Sequence, residues 1–292
     1  MIHKTFTPSK LHQKESFMLV RDQHIFLMPI GDVHYGAKAF PEGKLKSHIQ
    51  WGMDRGAYFV GMGEYLDLFS ATQRTVLGGL RDSVREQLDE MVKEKMDDLA
   101  YILEPTRGRW IGLLEGDHRW DFMDGTSADQ YLCKRLRCDF LGTSGLIRMA
   151  AGAPKGHPEA DCLLYVHHGI GASRSDGGNL ARVGDLLKFI DADIYLMGHS
   201  HDKMAKSIDR QSVTPDGVHY HQTKVIGRTG SWLRGYSSSE PLDLDAPVIE
   251  SRGSYVEQAA YAPTALGGLC FGIGYEQIHG SKFYRPTIHH SN

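Results

Sequence analysis

Short apolar runs that break at glycine recur along this chain. Phe26–Ile30 stops at Gly31, Ala57–Val60 at Gly61, Trp110–Leu114 just before Gly116, Cys162–Val166 before Gly169, and Ile194–Met197 at Gly198. Apolar runs of this length, closed by Gly, read as buried strands that open into loops. Leu146–Ala150 reads as a further strand. Between them the spacing becomes helical. Leu45, Ile49 and Met53 follow Pro41-Glu42 and predict a helix over 41–54. Val84, Leu88, Met91, Leu99 and Ile102 predict a helix over 83–103, with Ser83 and Glu86 as a capping box and Pro105 and Gly108 ending it. Leu132 and Leu136 face inward from a helix over 127–137, and 180–190 is helical. Residues 1–24 read as an edge segment or loose arm, and 68–82 as a loop or small cap beside the strand ends.

Strand and helix alternate over 26–201, and 203–292 is strand, turn and loop. That order predicts a layered α/β domain with a partly antiparallel C-terminal sheet. No linker stands out, so one domain is expected over 1–292, with a core at 26–201 and a strand-rich part at 202–292.

Composition narrows the partners. Thirty-three Lys and Arg against 36 Asp and Glu give a net charge of −3, so no basic field advertises nucleic acid or an anionic membrane. The four cysteines include no C-x-x-C pair and are too few for a disulfide scaffold, which points to a reduced, cytoplasmic protein with buried thiols. The N-terminus lacks an apolar signal core, and no run approaches the length of a membrane-spanning helix, so no membrane association is expected.

The chemistry lies just past the strand ends. Gly31-Asp-Val-His34, Gly63-Glu-Tyr-Leu-Asp67, Gly116-Asp-His118, His167-His-Gly169 and Gly198-His-Ser-His201 each deliver ligand-type residues. If the backbone stays extended there, Asp32 and His34 point the same way. Open α/β sheets bind ligands at the carboxyl ends of their strands. Four carboxylates and six imidazoles gathered there call for cations. Mixed imidazole and carboxylate donors suit Mn²⁺, Fe or Zn²⁺ better than Ca²⁺.

These five motifs, in this order, resemble the calcineurin-like metallophosphoesterase family, whose pattern is G-D-x-H, G-D-x-x-D, G-N-H, a His before Gly, and G-H-x-H. The match covers residues 26–201, and its style is similar to phage- and prophage-encoded members. The resemblance implies a four-layer αββα sandwich with mixed sheets and two divalent ions, Mn²⁺ foremost, bridged by a carboxylate and a water-derived hydroxide. It implies one ion on Asp32, His34, Glu64 and His201, and a second on Glu64, Asp117, His168 and His199. His118 becomes the proton donor or phosphate-orienting group, and Asp67 sits where the family places that histidine's partner. The implied reaction is hydrolysis of a phosphomonoester or phosphodiester, with a nucleotide or nucleic acid as substrate. A DNA exonuclease or endonuclease of the same family and a catalytically silent metal-binding scaffold are the alternatives.

Two positions depart from the pattern. Glu64 stands where the family has Asp, and Asp117 where it has Asn. The ligand set then carries three carboxylates against two dications, and one bridging hydroxide makes it formally neutral. Firmer metal retention, weaker Lewis acidity and an alkaline shift in activity are expected.

Arginine suits bidentate phosphate contact. Arg119 and Arg174 are the phosphate-binding candidates because they closely follow motif residues, ahead of Arg182, Arg228 and Arg234. Lys134-Arg-Leu-Arg137 reads as a solvated helix face, and Asn179 as the start of a packing helix. Tyr35, Trp120 and Trp232 can either stack on a base or pack against the metal loops. His167, of opposite parity to His168, is expected to face the core or to support the ligands from behind.

Overall fold

A computed structural model describes residues 4–8, 14–20, 24–37, 39–69, 71–151, 160–171, 173, 175–236, 255–258, 260 and 262–291. Strands β1 (Lys4–Pro8), β2 (Lys14–Val20) and β3 (His24–Ile30) lead into helix α1 (Glu42–Met53) and β4 (Tyr58–Gly61). Helices α2 (Ala71–Leu77) and α3 (Asp82–Leu103), strand β5 (Trp110–Leu114), helix α4 (Ala128–Leu136) and strands β6 (Asp139–Gly142), β7 (Ser144–Ala151) and β8 (Ala160–His167) follow. Then come α5 (Asp176–Asp185), β9 (Ile194–Met197), β10 (Lys203–Val213), β11 (His219–Ser231), α6 (Tyr255–Gln258), β12 (Gly267–Gly268), β13 (Cys270–Gln277) and β14 (Tyr284–Ser291).

The strands form two mixed sheets. The smaller runs β14-β13-β3-β4-β5-β6, with β3 to β6 parallel and β13 antiparallel to β3. The larger runs β1-β2-β7-β8-β9-β11-β10, with β12 paired to β11. Side chains alternate across the strands. Ile25 and Leu27 of β3, Val60 of β4, and Ile111 and Leu114 of β5 point between the sheets and meet Leu164, Val166, Ile194 and Leu196. Met28, Ile30, Phe59 and Trp110 point outward and pack under α1, α3 and α4. Beyond the larger sheet, Tyr165, Tyr195 and Ile226 pack against Val183 and Leu180 of α5. The layers are therefore helix, sheet, sheet, helix. The C-terminal strands are divided between the sheets: β10 and β11 complete the larger one, β13 and β14 the smaller.

Several local expectations need correction. Residues 68–82 contain α2, a two-turn helix without an apolar stripe that closes at Gly78-Gly79. Helix α3 starts at Asp82, and Arg81 occupies the cap with no side-chain hydrogen bond, so Ser83 and Glu86 form no capping box. Its buried stripe is Asp89, Val92, Met96, Leu99 and Leu103, while Val84 and Met91 are exposed. The stripe was obscured by Asp89, a buried acid that accepts from Trp120 Nε1 at 2.6 Å and from the Met123 amide at 3.0 Å. The capping box occurs on α4 instead, where Ser127 and Gln130 exchange hydrogen bonds, worth about 1 kcal/mol. Asn179 lies inside α5, which begins four residues before the predicted helix start and ends in a short 3-10 turn over Leu186–Lys188. Residues 1–24 contribute β1 and β2; β1 is the sheet edge and β2 pairs parallel with β7. Among the described residues no helix is long and apolar enough to cross a membrane.

Candidate metal centre

Five parallel strands deliver the site. β3, β4 and β5 run side by side in one sheet, and β8 and β9 in the other. Their carboxyl ends open on the same side, where loop backbones are laced together. The Asp32 amide donates to Gly63 O at 2.9 Å, and the Val33 and His34 amides both donate to Glu64 O. Across the sheets, the Trp232 amide and the Ser231 hydroxyl donate to Asp32 O at 2.9 and 3.0 Å, and the His199 amide donates to the Asp32 carboxylate.

The backbone at the ligands is not extended. Asp32, His34, Glu64, His199 and His201 have φ of 47°, 51°, 53°, 67° and 61°, and among the described residues only Arg137 and Ala260 join them as non-glycine residues on that side. The left-handed conformation costs an L-residue roughly 1–2 kcal/mol, and such strain concentrates at functional sites. Asp32 and His34 thus face one point because both turn left-handed around Val33, not because a strand alternates. His199 and His201 repeat the device around Ser200.

Two glycines permit the close approach. A Cβ on Gly116 would stand 2.3 Å from the Glu64 amide nitrogen. At Gly63, φ is +95°, and a Cβ would stand 2.5 Å from His168 Nδ1. Side chains outside the two donor groups hold these loops. Tyr65 Oη accepts from the Gly63 amide and donates to Leu114 O, tying the β4 loop to β5. Asp129, fully buried in α4, accepts from the Gly116 amide at 3.0 Å; burial pushes its carboxyl up to about 7. Arg74 of α2 donates to Asp117 O at 2.6 Å. Asn179 donates to Asp202 Oδ2 at 2.5 Å, and buried Arg228 donates to Asn179 O and Gly198 O. A tyrosine beside Glu64 and an acid in a helix's first turn gave no sign of these roles.

Two groups of donors result. Asp32, His34, Glu64 and His201 form one, Glu64, Asp117, His168 and His199 the other, and within each group the ligand atoms lie within 4.8 Å of one another. Glu64 belongs to both. Its Oε2 is 3.0 Å from His34 Nε2 and 3.9 Å from His201 Nε2. Its Oε1 is 3.4 Å from His168 Nε2, 3.7 Å from His199 Nδ1 and 4.0 Å from His118 Nδ1.

These residues fit a cation. Donors about 2.1 Å from one ion stand roughly 3.0–3.4 Å apart at octahedral or tetrahedral angles, and most of the spacings are close to that. His34 Nε2 and His201 Nε2 face each other at 3.2 Å, while Glu64 Oε1 and His118 Nδ1 are buried without a hydrogen-bond partner. Buried polar atoms are rarely left unpaired; a cation in the first group would account for His34 Nε2 and His201 Nε2, and one in the second for Glu64 Oε1. Rear contacts orient two of the rings. His168 Nδ1 donates to Met62 O at 2.7 Å, leaving Nε2 toward Glu64 and Asp117. His34 Nδ1 is 3.2 Å from Asp67 Oδ1, leaving Nε2 toward Glu64 and His201. Carboxylates and carbonyls behind ligand imidazoles fix the tautomer.

Protons neutralise this cluster when no cation does. His34 is pushed up to about 10, because hydrogen bonds to Asp67 and Glu64 outweigh the burial that opposes its charge. Asp117 and Glu64 push His199 up to about 9. His168 is also raised, its contacts with Asp117 and Glu64 overcoming burial. Glu64 is held below the usual carboxylate range, its burial more than offset by the imidazoles around it. Burial pushes Asp32 up to about 6, with His201 opposing.

The remaining candidates divide. Asp67 was expected behind His118; its hydrogen bond goes to His34, because the β4 loop carries it to the far side of that ring. Donor atoms of His34, Asp67 and His118 nonetheless lie within 4.8 Å of one another. His118 is one-third exposed and stands at the rim of the cluster. Arg119 is bound to Glu115 at 3.0 Å and Asp121 at 3.2 Å, so its charge is spent on neighbouring acids. Arg174 lies outside the described residues. His167 Nδ1 accepts from the Gly169 amide and supports that turn. Trp120 and Trp232 are buried packing residues. Cys133, Cys162 and Cys270 are buried and all four thiols are free.

A cavity of about 550 Å³ opens beside the cluster, and His34, Glu64, His118, His199 and His201 are among its lining residues. No protein-family model matches the chain, and comparison with curated proteins finds no match either.

Proposed function

We propose that this chain is a dinuclear metal-dependent phosphoester hydrolase of the calcineurin-like metallophosphoesterase type. The observation that carries the reading is Glu64, which lines an open cavity and whose two oxygens face two separate His/carboxylate groups. The first ion would be held by Asp32, His34, Glu64 and His201, the second by Glu64, Asp117, His168 and His199. The mixed nitrogen and oxygen donors suit Mn²⁺ best, with Fe or Zn²⁺ as substitutes. When bound, such a pair neutralises phosphoryl oxygens and acidifies water.

The protein's own residues supply the rest. Asp67 and Met62 O keep the lone pairs of His34 and His168 aimed inward. Asp32, with both oxygens on the His199 amide, fixes the β9 loop relative to the β3 loop. His118 is exposed to the cavity and can pass a proton to a departing oxygen. Three carboxylates near the reaction centre, Asp32, Glu64 and Asp117, favour cation retention over strong acidification of water.

The test is hydrolysis of bis(p-nitrophenyl) phosphate and p-nitrophenyl phosphate by chelator-stripped protein with and without added Mn²⁺. Mn²⁺-dependent release of nitrophenol from either ester is the expected result. Mn²⁺ bound with no turnover of either would assign the site to a silent scaffold.

A further inference from the structure

The last turn of α4 brings two cysteines together. Arg137 is left-handed there, with φ of 56°. The Cys138 amide donates back to Cys133 O at 3.0 Å, and the Arg137 amide donates to Lys134 O at 3.4 Å. Two such bonds around a left-handed residue form a Schellman motif, in which the side chains at the ends of the outer bond often pack together. Those two positions are Cys133 and Cys138. Both belong to the apolar layer around α3 and α4, and here the packing sets one thiol against the other.

The two thiols are free and stand outside the donor groups around Glu64. They differ in access. Cys133 is buried and Cys138 is partly exposed. The Cys138 thiol, with burial as the next cause, pushes the Cys133 thiol up, so the inner sulfur keeps its proton. An accessible thiol beside a resolving one is the arrangement of redox-reactive cysteines. Disulfide closure also requires two backbones held close, and the bond from the Cys138 amide to Cys133 O does this.

We propose that Cys133 and Cys138 form a reversible redox site that reacts with a low-molecular-weight disulfide of the oxidised glutathione type. The Cys138 thiolate attacks one sulfur of that disulfide, whose S–S bond breaks and releases one glutathione. Cys133 then attacks Cys138 Sγ, and the mixed disulfide breaks to release the second. The two cysteine protons end on the two departing glutathiones. Two protein thiols are oxidised to one disulfide, and one glutathione disulfide is reduced to two thiols. Capping Cys138 also removes the first cause of the raised Cys133 thiol, which eases the second step. The bridge pins the last turn of α4, the helix whose Asp129 supports the Gly116 loop.

The experiment incubates the native full chain with oxidised glutathione and maps its tryptic peptides without reduction. Lys134, Arg135 and Arg137 lie between the two cysteines, so trypsin separates them and a disulfide alone keeps the fragments joined. The expected result is a Cys133–Cys138 link that dithiothreitol reverses. It should form at an oxidant concentration about tenfold or more below that which modifies Cys162 or Cys270, because both of those are buried. Cys133→Ala should stop at a glutathione adduct on Cys138, and Cys138→Ala should leave Cys133 reduced.

A native chain in which both thiols stay reduced overturns the proposal. So does a wild-type adduct on Cys138 that Cys133 never resolves, or a bridge that uses Cys162 or Cys270 instead. The wild-type peptides give these answers even where a variant fails to fold.

Discussion

The two ligand groups share Glu64 but not their surroundings. Asp32, His34 and Glu64 are buried, and His201 is only partly exposed. In the second group the Asp117 side chain is half exposed and His199 lies nearer the surface. The first is built from strand ends locked by backbone hydrogen bonds; the second completes itself with a loop residue held from behind by Arg74 and, through Gly116, by Asp129. Charges in a buried site interact more strongly than those screened by water. On the proposed reading, the contrast predicts that the buried group holds its cation more firmly than the exposed one.

The harshest way to break the comparison is to remove what the groups share. Glu64→Gln should lower Mn²⁺-dependent turnover by about a thousandfold or more, since both groups lose a charged donor. Retained turnover would show that the groups act separately.

Next comes the asymmetry itself. Asp32→Asn should weaken the tighter Mn²⁺ site about a hundredfold, whereas Asp117→Asn should cost about tenfold at the weaker one, because solvent already screens that carboxylate. Asp117→Asn should also move the pH–rate profile toward acid, as the metal centre gains one positive charge. Equal losses in calorimetric titrations would erase the distinction.

Protons give a third handle. In the metal-free protein the neighbouring carboxylates push His34 up to about 10 and His199 up to about 9, which favours both as imidazolium at neutral pH. Each must release its proton to bind a cation. Apparent Mn²⁺ affinity should therefore climb by about tenfold or more between pH 6 and 8, and flatten above about pH 10. The sign for stability is the opposite: both histidines are raised above their ordinary value, so the stability they give the metal-free protein is full below about pH 6.5 and fades as pH rises through 9 and 10. A flat affinity profile would contradict the assignment of these rings as ligands.

The mildest change is behind the first group. Asp67→Asn should weaken its metal affinity about tenfold, the lower end of what the loss of a carboxylate supporting a ligand histidine costs. An effect on the pH profile of proton donation, with metal affinity untouched, would return Asp67 to His118.

Much of this was legible because glycine-terminated apolar runs mark buried parallel strands, and five of them end in acids and imidazoles. Strand alternation predicted a common aim for Asp32 and His34, but the cause proved to be paired left-handed residues, which no spacing rule reveals. Helix α2 escaped notice because seven residues show no stripe, and the stripe of α3 because a buried Asp89 interrupts it. Tyr65, Asp129 and Arg74 act across the fold on backbone groups. Side chain-to-backbone bonds of that range leave no periodic trace. The pairing of Arg119 is a related case, since Glu115 and Asp121 stand close in the sequence but their geometry does not show there.

Counting bound manganese tests the shared carboxylate most directly. Stripped protein dialysed against Mn²⁺ should hold two ions per chain, and Glu64→Gln should hold one or none under the same conditions. Wild-type protein that retains no Mn²⁺, or a variant that still binds the full pair, would contradict a centre built around Glu64.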